Sequence, residues 1–352
     1  MKISHVYLAT NNGDVGGGEV MLFNIARALR KNGVQVTVVG PAEPSEVVDV
    51  ATDEGFDVVI LPARDRKSYL LQLRAWDATQ RKGILWCNGM VPSFATGGHK
   101  NRIVHLHQLP KGKTRFLTKP AQRKALVTLL PSQFAAQRVK DARPFHNWVE
   151  EISRLRLQRL PYRITRIGFL GRPSSIKGTH TLAQAIGLLN ESGSRYTLHI
   201  AGEPNFIDGD DAQFINAELE KLGDSVVRYG KILPAQFFDN IDLLVVPSVW
   251  DEVFGLVATE AMSARVPLII SDAGALPEIL GADYPWIFPK GNAQALAVMI
   301  NQVSRAVVEE REKSEEIVSG AYWNWYENFS PEAGIQRIQH LIDELTYGKQ
   351  KL

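Results

Sequence analysis

The sequence lacks the devices on which small secreted proteins and membrane proteins depend. Its 352 residues include one cysteine, Cys87, which excludes an internal disulfide, and no Cys/His spacing of the kind that binds zinc. No apolar run approaches the ~18 residues that a membrane span needs, and the opening MKISHVYLAT is too short and too polar for a signal peptide. These absences lead us to expect a reducing, cytoplasmic setting. Low-complexity tracts and short-period repeats are also missing, and the net charge is only +2. What remains is an ordinary globular composition, 45% hydrophobic and 22% charged. At ~150 residues per domain the length suggests two domains.

The small net charge hides two opposed segments. From Gly98 to Arg166 there are sixteen Lys and Arg against three Asp and Glu, whereas from Ser174 to Met262 there are five against thirteen. The basic segment either meets something anionic or is a solvated face.

Both halves open with the same grammar of apolar strand, glycine-bearing loop and amphipathic helix. Ile3 to Ala9 reads as a buried strand and Asn11 to Gly18 as a loop. Glu19 to Asn32 reads as a helix with Leu22, Ile25, Ala26 and Leu29 on one face and Gly33 at its C-cap. Strand signals follow at Val34 to Val39, Val58 to Leu61, Ile84 to Cys87, Arg102 to Leu106 and Leu126 to Leu130. After an irregular stretch from Arg143 to Arg163, further strands are expected at Ile164 to Leu170, Tyr196 to Ala201, Val226 to Tyr229, Leu243 to Val246 and Leu268 to Ser271. Strands alternating with helices imply α/β, doubly wound parallel sheets. The expected division is 1–150, 151–329 and a last helix over 330–352. That helix has Pro331 at its first position, and Ile335, Ile338, Leu341, Ile342 and Leu345 recur at helical spacing.

Five stretches carry candidate chemistry. In SVWDEVFGLVATEAM, Glu252 and Glu260 flank a helix start at Phe254, Gly255 and Leu256, whose free N–H groups suit a phosphate; two solvent-facing glutamates are the plainer alternative. In GFLGRPSSIKG, a glycine turn after the first strand of the second half carries Arg172 and Lys177, which either neutralise a diphosphate or are solvated turn residues. In GDVGGGEV, Gly16, Gly17 and Gly18 allow close approach of a ligand to the backbone, or simply make a turn. A dinucleotide-binding unit is disfavoured because the second strand ends VVGP, with no acid for a ribose. In IVHLHQ, His105 and His107 close a strand, and His107 is nearer the carboxyl edge where such sheets bind ligands. Asp208-Gly209-Asp210 has the look of a metal motif but reads as an acidic surface loop, and no metal is expected.

Together these stretches resemble the retaining glycosyltransferases of family 4, which have the GT-B fold of two Rossmann-like domains. GFLGRPSSIKG, IAGEP, VVRYGKI, LLVVPS, DEVFGLVATEAM and DAGALPEIL occur in the family's order, and GGGEVMLFNIARALRKNGVQVTVV resembles its opening motif. LLPSQF and HNWVE resemble weaker, later ones. The resemblance implies that Arg172 and Lys177 hold the diphosphate of a UDP- or GDP-linked sugar donor, that Glu260 holds the ribose hydroxyls, and that Glu252 meets the donor sugar or its leaving phosphate. Gly17 and Gly18 would close over the phosphates, and Gly255, Leu256 and Val257 would offer N–H groups beside Phe254. Tyr229, Gly230, Lys231 and Ile232 would flank the nucleobase, and His107 would face the sugar. A hydroxyl acceptor on a sugar, lipid-linked sugar or glycan is implied, without cofactor and without nucleic acid. The last helix would return to the first domain. Two residues depart from the pattern: Arg265 stands at the family's glycine in EAMSARVP, and Trp148 stands in its Asn-Gly pair.

The basic stretch KGKTRFLTKPAQRK, with Lys111, Lys113, Arg115, Lys119, Arg123 and Lys124, is expected to serve the acceptor side or an anionic membrane surface, which would make the protein peripheral at the inner face. The rival functions are a non-catalytic sugar-nucleotide-binding subunit and a sugar-nucleotide epimerase on the same fold. Release of free nucleotide, with and without an acceptor, separates them.

Overall fold

A computed structural model describes residues 3–154, 160–203 and 208–348. The chain falls into two compact units, Met1–Trp148 with Pro331–Leu352, and Val149–Ser330. Part of the expected linker, residues 155–159, lies outside the described residues.

The first unit is built on seven strands, β1 (His5–Ala9), β2 (Gln35–Pro41), β3 (Asp57–Leu61), β4 (Ile84–Asn88), β5 (Arg102–His105), β6 (Val127–Leu130) and β7 (Ala142–Pro144), in the order β3-β2-β1-β4-β5-β6-β7. Every pairing is parallel. The order reverses between β1 and β4, so the loops after those two strands diverge to opposite faces and leave a crevice at their carboxyl ends. The second unit repeats the plan with β8 (Arg166–Leu170), β9 (Thr197–Ala201), β10 (Val226–Gly230), β11 (Leu243–Val246), β12 (Leu268–Ser271) and β13 (Ile287–Phe288), in the order β10-β9-β8-β11-β12-β13. Its reversal lies between β8 and β11.

The expected apolar face is the buried one. Leu22, Ile25, Ala26 and Leu29 of helix Gly17–Lys31 join Leu8, Val38, Ile84 and Trp86 in one core, each large side chain contributing about 1.5–3 kcal/mol. Helix Pro331–Tyr347 packs on helix Gly17–Lys31 and adds Ile338 and Leu341 to that core, with Ile335, Ile342 and Leu345 at its edge. The second core gathers Ile167, Phe169, Leu198, Val245 and Ile269 under helices Thr179–Glu191 and Ala293–Glu309.

The structure corrects several expected boundaries. Helix Gly17–Lys31 begins two residues early, so Gly17 and Gly18 form its first turn and Gly16 is its N-cap. Strand β8 begins at Arg166 rather than Ile164. The Asp242 carboxylate accepts from the backbone N–H groups of Thr165 and Arg166 (3.1 and 2.9 Å), giving these donors a side-chain partner at the strand entrance. Strands β7 and β13, of three and two residues, went unseen because so few residues carry no readable alternation.

Both departures from the family pattern have a structural partner. Arg265 lies at φ +51°, in the left-handed region that follows helix Leu256–Ser263, where a glycine is least strained. Its guanidinium stacks 3.7 Å from the centre of the Tyr322 ring. Trp148, expected to replace a flexible residue, is instead buried in the first core beneath the returning helix.

Candidate active site

In the second unit the candidate residues gather on the two loops that leave the switch-point strands. The loop after β8 carries Arg172 and Lys177, and the loop after β11 carries Ser248 and Glu252. Backbone bonds tie the loops together, since the N–H groups of Val249 and Trp250 both donate to the carbonyl of Ile176 (3.0 and 3.1 Å). Gly178 makes the approach possible. It lies at φ +73°, and a Cβ there would stand 1.8 Å from the carbonyl oxygen of Pro247.

Lys177 Nζ donates to Glu252 Oε1 at 2.6 Å, and Ser248 Oγ donates to the same oxygen at 2.6 Å. Oε2 of Glu252 accepts no hydrogen bond among the described residues. The side chain of Glu252 is mostly buried, whereas that of Lys177 keeps 39% of its surface, so the pair is open on the lysine side. The backbone of Glu252 is clamped from behind. It bridges Gly274, its carbonyl accepts from Ala275 N at 2.9 Å, and a Cβ on Gly274 would lie 2.4 Å from that carbonyl oxygen. Ser248, Gly178 and Gly274 are therefore site residues that sequence reasoning did not single out. All three stood within quoted motifs, Ser248 in LLVVPS and SVWDEVFGLVATEAM, Gly178 in GFLGRPSSIKG and Gly274 in DAGALPEIL, and that was the only signal.

The helix start differs from expectation. Helix Leu256–Ser263 begins at Leu256, with Gly255 as its N-cap at φ +110°. Phe254 is a core residue, 2% exposed and packed edge-on against Phe329. The N–H groups of Leu256 and Val257 lie in the first turn, where no intrahelical acceptor exists. Glu260 follows on the same helix. Its carboxyl has no hydrogen-bond partner among the described residues, and desolvation of this half-buried side chain pushes the pKa up to about 7.

Arg172 lies exposed in the loop, and its carbonyl accepts from Ser174 Oγ. Tyr229 and Gly230 end β10, the edge strand, and Lys231 and Ile232 follow it. The Tyr229 ring stacks on His199, and the two share a 2.8 Å hydrogen bond between Tyr229 Oη and His199 Nδ1. Gly171, Gly202 and Gly230, all at positive φ, end β8, β9 and β10 in turn, and a Cβ on Gly202 would stand 2.1 Å from the Gly171 carbonyl oxygen. The carboxyl edge of this sheet is thus stripped of side chains where Arg172 emerges. Asp208 caps helix Gly209–Glu220 by accepting from Asp210 N, and Asp211 accepts from Ser175 N, so this acidic run serves the chain's own backbone. Among the described residues no group of three or more His, Cys, Asp and Glu is arranged to hold a metal ion.

In the first unit the glycine loop is held by Glu19, which is buried. Its carboxylate accepts from Thr10 Oγ1 and Asn12 Nδ2 (2.9 and 3.0 Å) and from Gly16 N (3.3 Å), closing the loop onto the helix start. Gly16 and Gly18 have ordinary φ, and a Cβ on either would meet its nearest neighbour at 3.4 or 3.5 Å. Asn88, at the end of β4, donates to the Gly18 carbonyl at 3.1 Å, and its Oδ1 lies 2.6 Å from His107 Nε2. The orientation of Asn88 places the proton of His107 on Nε2 and leaves Nδ1 as an acceptor. Burial lowers the His107 pKa to about 4, so the ring is neutral at pH 7. His105 is fully buried and accepts from Trp86 Nε1, which gives it a packing role. Asn88 is a further residue that the sequence did not mark. Lys111, Lys113, Arg115, Lys119, Arg123 and Lys124 lie in or beside helix Thr114–Gln122, and all six are exposed.

Comparison with known proteins agrees with this architecture. Residues 163–321 match the model for glycosyl transferases group 1, and residues 15–153 match the model for glycosyltransferase family 4. An uncharacterized 41.2 kDa protein in the cps region of Klebsiella pneumoniae is 37% identical over 116 residues, 32% of this chain and 29% of that protein. The capsular polysaccharide biosynthesis glycosyltransferase CapM of Staphylococcus aureus is 29% identical over 141 residues, 39% of this chain and 36% of that protein. The chain thus spans about a third of the length of these curated relatives. HepE of Anabaena, solved in complex with UDP, superimposes with a TM-score of 0.81 over 97% of this chain and 99% of its own, and at 19% identity this is a likeness of fold. No helix among the described residues is long and apolar enough to cross a membrane. Two glycosyltransferase models, one on each unit, and two parallel sheets of Rossmann type make this chain a member of the glycosyltransferases of GT-B fold.

Proposed function

We propose that the protein is a retaining glycosyltransferase that moves a sugar from a nucleotide-diphosphate donor to a hydroxyl acceptor during glycoconjugate, polysaccharide or glycolipid assembly. The observation that carries this reading is the Lys177–Glu252 pair at the switch point of the second sheet, with Ser248 and the unpartnered Glu260 on the same loop and helix. A diphosphate at this position meets the Lys177 ammonium, the Arg172 side chain and the first N–H groups of helix Leu256–Ser263, three sources of positive charge that require no metal or cofactor. Glu260 accepts from the ribose hydroxyls. Glu252, with Oε2 open, orients the sugar. Tyr229 to Ile232 flank the base.

In the step proposed, the bond between the anomeric carbon and the phosphate oxygen breaks, and the leaving diphosphate keeps the electron pair. The acceptor oxygen bonds to the same face of the anomeric carbon, and its proton passes to the departing phosphate oxygen. Lys177 and the helix start stabilise the charge that develops on the diphosphate. UDP is the first nucleotide to test, because HepE was solved with it and shares this fold.

A thermal-shift series with UDP, GDP and their sugar conjugates tests donor binding, since a ligand specific for the native state raises Tm. Release of UDP that depends on an added acceptor supports transfer. Release-free conversion of the sugar would indicate an epimerase, and binding without turnover a regulatory subunit. No shift with any nucleotide would remove the reading.

A further inference from the structure

His199, a buried histidine of the second unit, has no part in the donor contacts proposed above. It lies in β9 and is 7% exposed, and both ring nitrogens have partners: Nδ1 lies 2.8 Å from the Tyr229 hydroxyl and Nε2 lies 3.0 Å from the Thr197 hydroxyl. The direction of these bonds is set at the far end. Thr197 Oγ1 donates to the Thr165 carbonyl at 3.4 Å, so it accepts from the Nε2–H of His199. Nδ1 is then the bare nitrogen, and Tyr229 donates to it. Burial, and after it the Arg166 guanidinium, hold the His199 pKa below its usual value against the pull of Asp242, so the ring is neutral at pH 7, as an acceptor at Nδ1 must be.

What this chain of bonds holds is an irregularity at the sheet edge. Strand β10 pairs with β9, with Val227 opposite His199 and Arg228 opposite Ile200, but Gly230 rather than Tyr229 lies opposite Ala201. Tyr229 is thus an extra residue in the edge strand, the kind of insertion that re-aims the chain beyond it. A strand with a neighbour on one side only resists a slip weakly, and a slip of one residue exchanges the faces of everything that follows. Regular pairing would set Tyr229 opposite Ala201 and turn over Gly230, Lys231 and Ile232. Against this, Gly202 N donates to the Gly230 carbonyl at 2.8 Å, and the Tyr229 ring lies within 26° of parallel to His199 and edge-on to Phe237. Of the side-chain contacts only the hydrogen bond is strongly directional, so it sets the point along β9 at which the Tyr229 ring stops.

We propose that His199 is a positioning residue for the nucleobase, locking the extra residue of β10 in place and so presenting the backbone of Gly230, Lys231 and Ile232 to the base. The proposal deepens the transferase reading and rests on it for the place of the base. His199 itself touches no part of the donor, and its effect passes through the Tyr229 hydroxyl alone.

Calorimetric titration of the full chain with UDP, GDP and inorganic pyrophosphate tests the assignment. Tyr229→Phe and His199→Phe are each expected to weaken the nucleotide that the wild type binds by about fivefold or more, and to leave pyrophosphate within about twofold. The double variant should lose no more than the worse single one, because both remove the same bond. His199→Asn, whose amide takes the place of Nδ1, should keep nucleotide affinity better than His199→Gln, whose amide reaches towards Thr197 instead. Tyr229→Phe removes one oxygen from a half-buried ring and keeps the test decisive if His199→Phe fails to fold. A merely structural histidine would lower Tm and weaken nucleotide and pyrophosphate alike. Equal losses for the two ligands, wild-type nucleotide affinity in Tyr229→Phe, additive losses in the double variant or the reverse order of Asn and Gln overturns the proposal. The two readings fail differently: a wild type that binds neither UDP nor GDP removes the donor reading and this inference with it, whereas nucleotide binding that ignores Tyr229→Phe removes this inference alone.

Discussion

Gly334 and Trp148 are complementary surfaces. A Cβ on Gly334, in helix Pro331–Tyr347, would stand 2.4 Å from two carbons of the Trp148 indole, so the helix reaches the indole only because that side chain is missing. The indole is fixed from its own side, because its backbone carbonyl accepts from Asn24 Nδ2 at 2.9 Å and its ring packs edge-on against Phe145. The guanidinium of Arg337 lies 5.9 Å from the ring centre, and burial lowers its pKa to about 10. Gly334→Ala is therefore expected to lower stability by about 1–3 kcal/mol, read as a reduced Tm, even though alanine is the better helix former. Combining it with Trp148→Phe should recover part of the loss. An unchanged Tm for Gly334→Ala would show that the helix does not seat on the indole in solution.

Arg265 separates backbone strain from side-chain stacking. Arg265→Gly removes a left-handed residue costing about 1 kcal/mol and also removes the stack on Tyr322, worth about 0.5–2 kcal/mol, so its net effect should be small. Arg265→Ala keeps the strain and loses the stack. It is expected to be less stable than Arg265→Gly by about 1 kcal/mol in denaturant unfolding, and the reverse order would refute the account.

The fold was legible because its signals are local. Leu22, Ile25, Ala26 and Leu29 announce a buried helix face by spacing alone, and strand–helix alternation dictates parallel sheets. The pairing at the site was only half legible. Lys177 and Glu252 were recognisable through their motifs, but their 2.6 Å contact depends on loops from strands that lie far apart in sequence. Gly178 permits that contact by yielding to the Pro247 carbonyl, and no window on the sequence contains both residues. Asn88 went unread for the same reason, since the sheet order brings it to Gly18 and His107, whereas Ser248 stands only four residues from Glu252 and meets it through the course of their shared loop. Phe254 was expected at a helix start that lies two residues further on, at Leu256, because a start inferred from sequence is uncertain by a residue or two; its side chain lies in the core.

Loss of either member of the site pair should affect chemistry more than folding. Lys177→Ala is expected to lower kcat by about 10²-fold or more by removing a cation from the leaving diphosphate. Glu252→Gln should lower it comparably while preserving shape. Ser248→Ala removes one of two donors to Glu252 Oε1 and should cost roughly tenfold. Near-wild-type transfer by both Lys177→Ala and Glu252→Gln would exclude this pair from the reaction.

Gly18 offers a test of function without a confounding effect on the fold. Its φ is ordinary and a Cβ would meet His107 only at 3.5 Å, so Gly18→Ala should leave Tm unchanged or slightly raised. If the first turn of helix Gly17–Lys31 takes part in turnover through its backbone, the same methyl should lower kcat/KM by about tenfold or more. A variant with unaltered turnover would remove the glycine loop from the site.

Glu260 gives a pH signature whose sign is fixed by its surroundings. Its carboxyl titrates near 7 in the folded protein against an unfolded value of 4.5, so the native state holds the proton more tightly. The resulting stability is fully present below the unfolded value and is lost as pH rises through about 7. Glu260→Gln does not titrate. It should match the wild type at pH 4 and below and exceed it by up to about 3 kcal/mol near pH 8, as measured by denaturant unfolding. Under the proposed ribose contact ligand binding runs in the opposite sense, because a hydroxyl donates to the ionised carboxylate. The affinity of the wild type for UDP should therefore strengthen up to about tenfold between pH 6 and pH 8 relative to Glu260→Gln, a ratio in which titration of the nucleotide itself cancels. Parallel pH profiles for the two proteins would mean that Glu260 does not receive the ribose.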